Sequence, residues 1–336
     1  MHSITVDNVN DALSEGLWWL HTAGVRQLSR NGAVLVSPVP VCTTYKSPQR
    51  RVMLHPARDA NPFFHLFEAL WMLAGRNDVA YVAHYAKQMA EYSDDGATLN
   101  GAYGHRWRYW WAYDQLDWIV AELVRDPTTR RCVLSMWSAE HDPAAAAAHS
   151  KDVPCNTHAY FDTTDGKLNM TVCCRSNDVV WGAYGANAVH FSVLLEYLAA
   201  RAKLPMGVYR QLSNNYHLYV ARPDVARLYT VHGPVTLPCR PYPAGGVPLR
   251  SVSHALWMAD LRRYFDEWDA DALTHYHAKN FKDPFFATVA LPMARAHRAY
   301  KAGAYGLAFA DANAIAAPDW HLAVCEWLER RKLRVN

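Results

Sequence analysis

The sequence predicts an α+β fold in a single domain, a mixed β-sheet packed by helices. Three observations carry this expectation. Strand-like alternation over about 157–163 and 167–175 brackets an Asp165-Gly166 turn, which is a hairpin signal. Helical periodicity is cleanest over 61–75 and 187–202, so helices and strands are interspersed along the chain. No repeat or low-complexity linker divides the 336 residues, and 51% of them are hydrophobic, enough for one large core.

Each element has a local cause. Asp7-Asn8 can cap a helix running to about Thr22, with Leu13, Leu17 and Leu20 on one face. Arg30-Asn31-Gly32 reads as a turn before the strand-like Val34-Leu35-Val36. Asn61-Pro62 starts a strong helix, with Phe63, Leu66, Leu70, Trp71 and Leu73 at helical spacing and Gly75 as its stop. A second helix is expected from about Val79 to Tyr92, then an Asp- and Gly-containing loop leading to an aromatic cluster at 107–111. Arg131 to Trp137 is a short β-type run, and the Ala144–Ala148 tract a loop with a helical turn. After the hairpin, Asn187 to Ala202 forms an amphipathic helix with Val189, Val193, Leu194, Tyr197 and Leu198 inward. A strand follows at about 206–213. The remainder is helix-rich, broken by a Pro-rich loop near 234–248.

A net charge of +3 with no basic stripe argues against a dedicated nucleic-acid binder, although a local arginine cluster suffices for an anionic small molecule. Seven irregularly spaced cysteines, without a CxxC pair, fit neither a disulfide framework nor a zinc site. No leader-like segment and no apolar run of about 20 residues is present. A soluble, cytoplasmic protein without metal or membrane attachment is expected.

The most informative stretch is Pro154-Cys155-Asn156-Thr157-His158-Ala159-Tyr160-Phe161, followed after a turn by Cys174-Arg175-Ser176-Asn177-Asp178. A cysteine just after a proline can be held rigidly at a strand end. An arginine on the next strand can stand beside it and raise its thiolate fraction, which makes a nucleophile. Glu68 lies between Leu66 and Leu70 on its helix, where a carboxylate is costly unless bonded or protonated, so it is a candidate for proton transfer. Taken alone, a buried inert cysteine and a helix-surface glutamate are the commoner fates of such residues.

Read together, Glu68 to Gly75, Tyr103-Gly104-His105-Arg106-Trp107-Arg108, Arg130-Arg131, Pro154-Cys155, Arg175 to Asp178, Gly182, Asn187 and His217-Leu218-Tyr219 resemble the thymidylate synthase family, which includes the pyrimidine-nucleotide hydroxymethylases. The resemblance covers about 28–220 and leaves 221–336 as a divergent, helix-rich part of the same domain. It implies a one-carbon transfer from 5,10-methylenetetrahydrofolate to carbon 5 of a pyrimidine nucleoside monophosphate. It implies Cys155 as the nucleophile at carbon 6, Glu68 as general acid/base, Tyr103 in the proton network and Asp178 on the folate pterin. Arg175 and Ser176 would hold the phosphate, with Arg130 and Arg131 donated across a homodimer interface and Arg30 as a weaker match. Asn187 would read the base edge, and His217 and Tyr219 the sugar hydroxyl. A carboxamide suits the O4/N3–H edge of uracil, which favours dUMP; dCMP and CMP remain alternatives. The loop 182–186 is one residue longer than the common pattern.

Four departures bear on the outcome. Met89 and Tyr92 stand where the family carries tryptophans, Asn156 replaces a histidine, Tyr160 replaces a glutamine, and the chain ends Leu333-Arg334-Val335-Asn336 without a small apolar tail. A bulky indole and a closing tail shield the exocyclic-methylene intermediate from water. Their loss favours hydration over reduction, hence a hydroxymethylase over a thymidylate synthase. An idle nucleotide- or RNA-binding relative is the alternative of another class, disfavoured by the intact Cys155, Glu68 and Arg175. Modified-DNA synthesis in a phage and nucleoside-antibiotic synthesis both fit.

Overall fold

The computed structural model describes residues 1–29, 31–235, 241–273 and 278–333. Arg30, part of the Pro-rich loop, and the terminal Arg334-Val335-Asn336 lie outside the described residues, so those expectations are not addressed by the fold.

The N-terminal strand β1 (His2–Val6) leads into α1 (Val9–Ala23), where Asn8 caps by accepting from the Asn10 and Asp11 N–H groups and Leu13, Leu17 and Leu20 are buried. β2 (Val25–Ser29) and β3 (Gly32–Val36) form a hairpin whose turn uses Gly32 at φ 104°. β4 (Val41–Tyr45) precedes α2 (Pro62–Leu73), which Asn61 caps through the Phe64 N–H and which ends at Gly75, φ 74°. Of the twelve residues of α2, all but Glu68 are buried. α3 spans only Val79–Tyr85. The expected helix to Tyr92 breaks at Ala86, whose extended φ of −143° turns the chain into a 3₁₀ segment, Lys87–Tyr92.

α4 (Tyr103–Arg108) carries the aromatic motif, and its Gly104 lies where a Cβ would stand 2.0 Å from the Met72 carbonyl oxygen, so α4 crosses the end of α2 at a distance that admits only glycine. α5 (Gln115–Arg125), β5 (Val133–Ser135) and α6 (Asp142–Ala147) follow; β5 is shorter than the expected 131–137. The hairpin of β6 (Asn156–Asp162) and β7 (Leu168–Asp178) and the helix α7 (Asn187–Ala202) fall where the sequence puts them. β8 runs from Met206 to Tyr219, well past the expected end, because its first half pairs with β4 and its last residues with β3. β9 (Tyr229–Thr230) and β10 (Gly233–Pro234) make a small ribbon. α8 (His254–Asp269), α9 (Leu291–Lys301), α10 (Tyr305–Asn313) and α11 (Pro318–Lys332) complete the helix-rich remainder.

The main sheet has the order β1-β4-β8-β7-β6-β5, with β2 and β3 attached to β8. Its β1–β4 and β7–β8 pairs are parallel and the rest antiparallel, so the sheet is mixed. One face, carrying Tyr209, Gln211, Val172 and Cys174, is buried under α7, on which α2 packs. The other carries directly paired rows of half-exposed residues: Thr44, Arg210, Thr171 and Tyr160 in one, Cys42, Leu212, Cys173 and His158 in the next. Among the described residues no helix is long and apolar enough to cross a membrane.

Candidate active site

The β6–β7 hairpin brings Cys155 and Arg175 together by backbone pairing. The Arg175 N–H donates to the Cys155 carbonyl at 2.8 Å, and its guanidinium donates to the carbonyls of Pro154 (2.8 Å) and Val153 (2.9 Å). Those bonds clamp the segment leading into the cysteine and use two of the five guanidinium N–H donors, leaving three for an anion. Cys155 is half-buried. The register slips between Asn156 and His158, so a bulge re-aims the residues immediately after the cysteine.

Cys155 opens into a cleft of about 730 Å³, lined also by Arg175, Ser176, His217, Tyr219, Tyr92, Trp137 and the loop Ser150–Val153. His217 and Tyr219 share a face of β8, with ring centroids 5.0 Å apart at 89°. His217 Nδ1 lies 2.8 Å from Asn215 Oδ1, and burial lowers its pKa against the opposing charge of Asp178. Asp178 faces His217 across the β7–β8 register. Its Oδ1 accepts from the Val180 and Trp181 N–H groups, while Oδ2 is buried without a partner among the described residues, and burial raises the carboxyl's pKa.

Behind the cleft, Tyr103 Oη accepts from the Cys155 N–H (3.2 Å) and the Asn156 N–H (3.1 Å), and burial pushes the phenol's pKa far up. A chain of carboxamides runs inward from there. Asn156 Nδ2 donates to Asn187 Oδ1 (3.0 Å), and Asn187 Nδ2 donates to Asn177 Oδ1 (3.1 Å). Asn177 Nδ2 then donates to Gln211 Oε1 (3.1 Å) and Ser213 Oγ (2.9 Å), and Gln211 Nε2 to Tyr209 Oη (2.8 Å). With both Asn177 hydrogens spent, the orientation of the Asn187 amide is fixed, and it keeps one donor and one acceptor position unspent.

The segment before α7 makes a π-helical turn, in which the Asn187 N–H reaches back to the Gly182 carbonyl, and Asn187 opens α7 beside Asn156. Glu68 lies deeper than the cleft lining, with Oε2 2.9 Å from His190 Nε2 on α7 and close enough to Asp152 for their charges to oppose each other. Arg130 and Arg131 are exposed ahead of the edge strand β5 and do not line the cleft of their own chain. Of the departing residues, Tyr92 stays at the cleft while Met89 packs half-buried against the core. Tyr160 is 46% exposed on the open sheet face, away from the cleft. Sequence reasoning gave no role to His190, Asn177, Gln211 or Asp152, because a polar side chain does not declare its role until its partner is known. Among the described residues, no group of three or more His, Cys, Asp or Glu could hold a metal ion.

A half-buried thiol beside a guanidinium, with an oriented amide edge and a polar cleft, can add to an electron-poor ring carrying an anionic group. The thymidylate synthase family model matches residues 19–239. The chain belongs to the thymidylate synthase family. The match runs past 28–220 at both ends. The chain is 46% identical to a deoxyuridylate hydroxymethyltransferase of Pseudomonas phage M6, over 99% of this chain and 95% of that one. It is 36% identical to the enzyme of that name from Bacillus phage SP01, over 57% of this chain and 54% of the other, and 30% identical to the one from Delftia phage PhiW-14, over 53% and 51%. The helix-rich segment after residue 239 is therefore shared with the phage M6 protein. As a thymidylate synthase family member aligned along its length with a one-carbon transferase, the chain is an enzyme of that class.

Proposed function

We propose that this enzyme transfers a one-carbon unit from 5,10-methylenetetrahydrofolate to carbon 5 of dUMP and adds water to it, giving the 5-hydroxymethyl nucleotide. The observation that carries this reading is the amide chain that ties Asn187 to Asn156, the residue after Cys155. It holds a nucleophile and a base-reading group in one frame. In that frame the Asn187 amide offers N–H to O4 and its oxygen to N3–H of uracil.

Cys155 attacks carbon 6 as thiolate, and the electrons move through carbon 5 toward O4. Carbon 5 takes up the one-carbon unit and loses its proton as the bond from that carbon to the folate nitrogen breaks, its electron pair leaving on tetrahydrofolate, which gives an exocyclic methylene. Water then adds to the resulting exocyclic methylene carbon, its proton passing to the Glu68 carboxylate, and the electrons return to expel the Cys155 thiolate and restore the ring double bond. Arg175 and Ser176 hold the phosphate, and His217 and Tyr219 hold the sugar.

The folate, when bound, supplies carbon at the formaldehyde level. The buried, unpartnered Asp178 Oδ2 fits a pterin, whose ring N–H and amino groups are donors. The half-exposed rows of the open sheet face suit an isologous contact with a second copy, which would bring Arg130 and Arg131 to the partner's phosphate site. A reduced cytoplasm, a phage-infected host's included, suits a catalytic thiol kept out of disulfides.

The test is incubation with methylenetetrahydrofolate and dUMP, dCMP or CMP, read by product mass. The expected product is 5-hydroxymethyl-dUMP. Thymidylate with dihydrofolate, or product from a cytosine nucleotide only, overturns the reading.

A further inference from the structure

His190 is a buried titratable residue that the reaction above leaves unused. It sits three residues after Asn187, one turn along α7 on the same face, where α7 packs on α2. Its Nε2 stands 2.9 Å from Glu68 Oε2, with side-chain exposures of 3% and 11%. The contact is close without being aligned as a hydrogen bond, and among the described residues neither buried atom has another hydrogen-bond partner. Catalytic contacts of this kind commonly align only when substrate is bound.

We propose that His190 is a positioning residue for Glu68, donating Nε2–H to Oε2 so that the other carboxylate oxygen, Oε1, receives the proton of the attacking water. The proposal rests on the reading of Glu68 as the proton-transfer group. A carboxylate on an otherwise buried helix, without a donor, has nothing to fix its rotamer or hold its charge. The occupied oxygen also sets which one faces the nucleotide, since Asn187 at the start of the same helix turn holds the base. His65 from α2 lies beside His190, with Arg58 from the 3₁₀ turn before α2 against His65 in turn, and Asp152 from the loop before Cys155 lies beside Glu68. Burial, with Arg58 and His190 beside it, lowers the pKa of His65, and the 2.9 Å contact makes His190 the donor at the carboxylate.

The test compares His190→Met, which fills the space without an N–H, with His190→Gln, which keeps one. Rates with dUMP and methylenetetrahydrofolate are followed across pH. His190→Met is expected to lower kcat about 10-fold or more, to leave KM for dUMP nearly unchanged, and to move the acid limb of the profile to higher pH. His190→Gln is expected to recover most of kcat. A His190→Met enzyme with native kcat and acid limb, or a His190→Gln enzyme as slow as His190→Met, overturns the proposal. Glu68→Gln run alongside separates the two levels: full activity there removes the role of Glu68 itself, whereas inactivity there with a native His190→Met removes only the role of His190.

Discussion

Asn187→Asp tests whether the amide chain sets the base preference. Asn187 Oδ1 accepts from Asn156, a bond that an aspartate oxygen keeps, but Asn187 Nδ2 donates to Asn177 Oδ1 at 3.1 Å. After the substitution two acceptors face each other there. Relieving the clash takes a concerted change, in which the Asn177 and Gln211 amides both rotate and the Tyr209 hydroxyl turns from acceptor to donor. One mismatch of this kind in a buried site costs about 1–3 kcal/mol, equivalent to about 5- to 150-fold. Uracil O4 loses its donor in addition, while the amino group of cytosine gains an acceptor. kcat/KM for dUMP should therefore fall by at least the lower figure, and the dCMP/dUMP ratio should rise about 10-fold or more. Initial rates on both nucleotides, with product mass and a thermal melt of the variant, measure each part. An unchanged ratio in a variant that melts like the parent would refute the argument and assign base reading to another residue.

Three further outcomes follow from the geometry. Tyr103→Phe leaves the Cys155 and Asn156 N–H groups without their acceptor, at a cost of about 1–3 kcal/mol each, so both kcat and the melting midpoint should fall; a fully active, equally stable variant contradicts this. His297 is 3% exposed among Phe63, Tyr85 and His84, and burial lowers its pKa from 6.5 to about 3. Below pH 6.5 the unfolded chain takes up a proton there that the folded chain refuses, so stability falls with pH, by about 1.4 kcal/mol per unit down to the folded value. Denaturant titrations of His297→Phe between pH 6.5 and 4 should show a shallower fall than the parent, and equal slopes would exclude the assignment. Mixing inactive Cys155→Ala with an inactive Arg130→Ala/Arg131→Ala double variant should restore about a quarter of parental activity if the arginines act across a symmetric dimer, since only half the sites of the hybrid are complete. No recovery after subunit exchange would return both arginines to a surface role.

The fold was legible where local chemistry decides it. Asn8, Asn61 and Gly75 mark helix ends through caps and a positive φ, and Asp165-Gly166 joins two strands that can pair with nothing nearer. It was not legible where a distant partner decides it. β8 extends to Tyr219 because β3 supplies a second neighbour, and the helix expected to Tyr92 stops at Ala86 although residues 87–92 have no strong breaker. The same division runs through the site. Cys155, Arg175 and Asn187 stand out as residue types in a pattern, whereas His190 and Asn177 draw their meaning from what they touch across 122 and 10 positions of chain.

That division bears on how the reaction ends. The departures at Met89, Tyr92 and Tyr160 are subtractions, and only Tyr92 reaches the cleft. Asn156 is different, because it adds a donor to the base-reading amide while its own Oδ1, next to the nucleophile, is buried with no partner among the described residues. A buried acceptor costs about 1–3 kcal/mol unless something donates to it. Water is the smallest such donor, and a water held there would lie beside the residue whose adduct must be hydrated. Asn156→His should then depress hydroxymethyl product relative to release of the carbon 5 proton, measured with dUMP tritiated at carbon 5. An unchanged ratio of product to released tritium would show that the attacking water is held elsewhere.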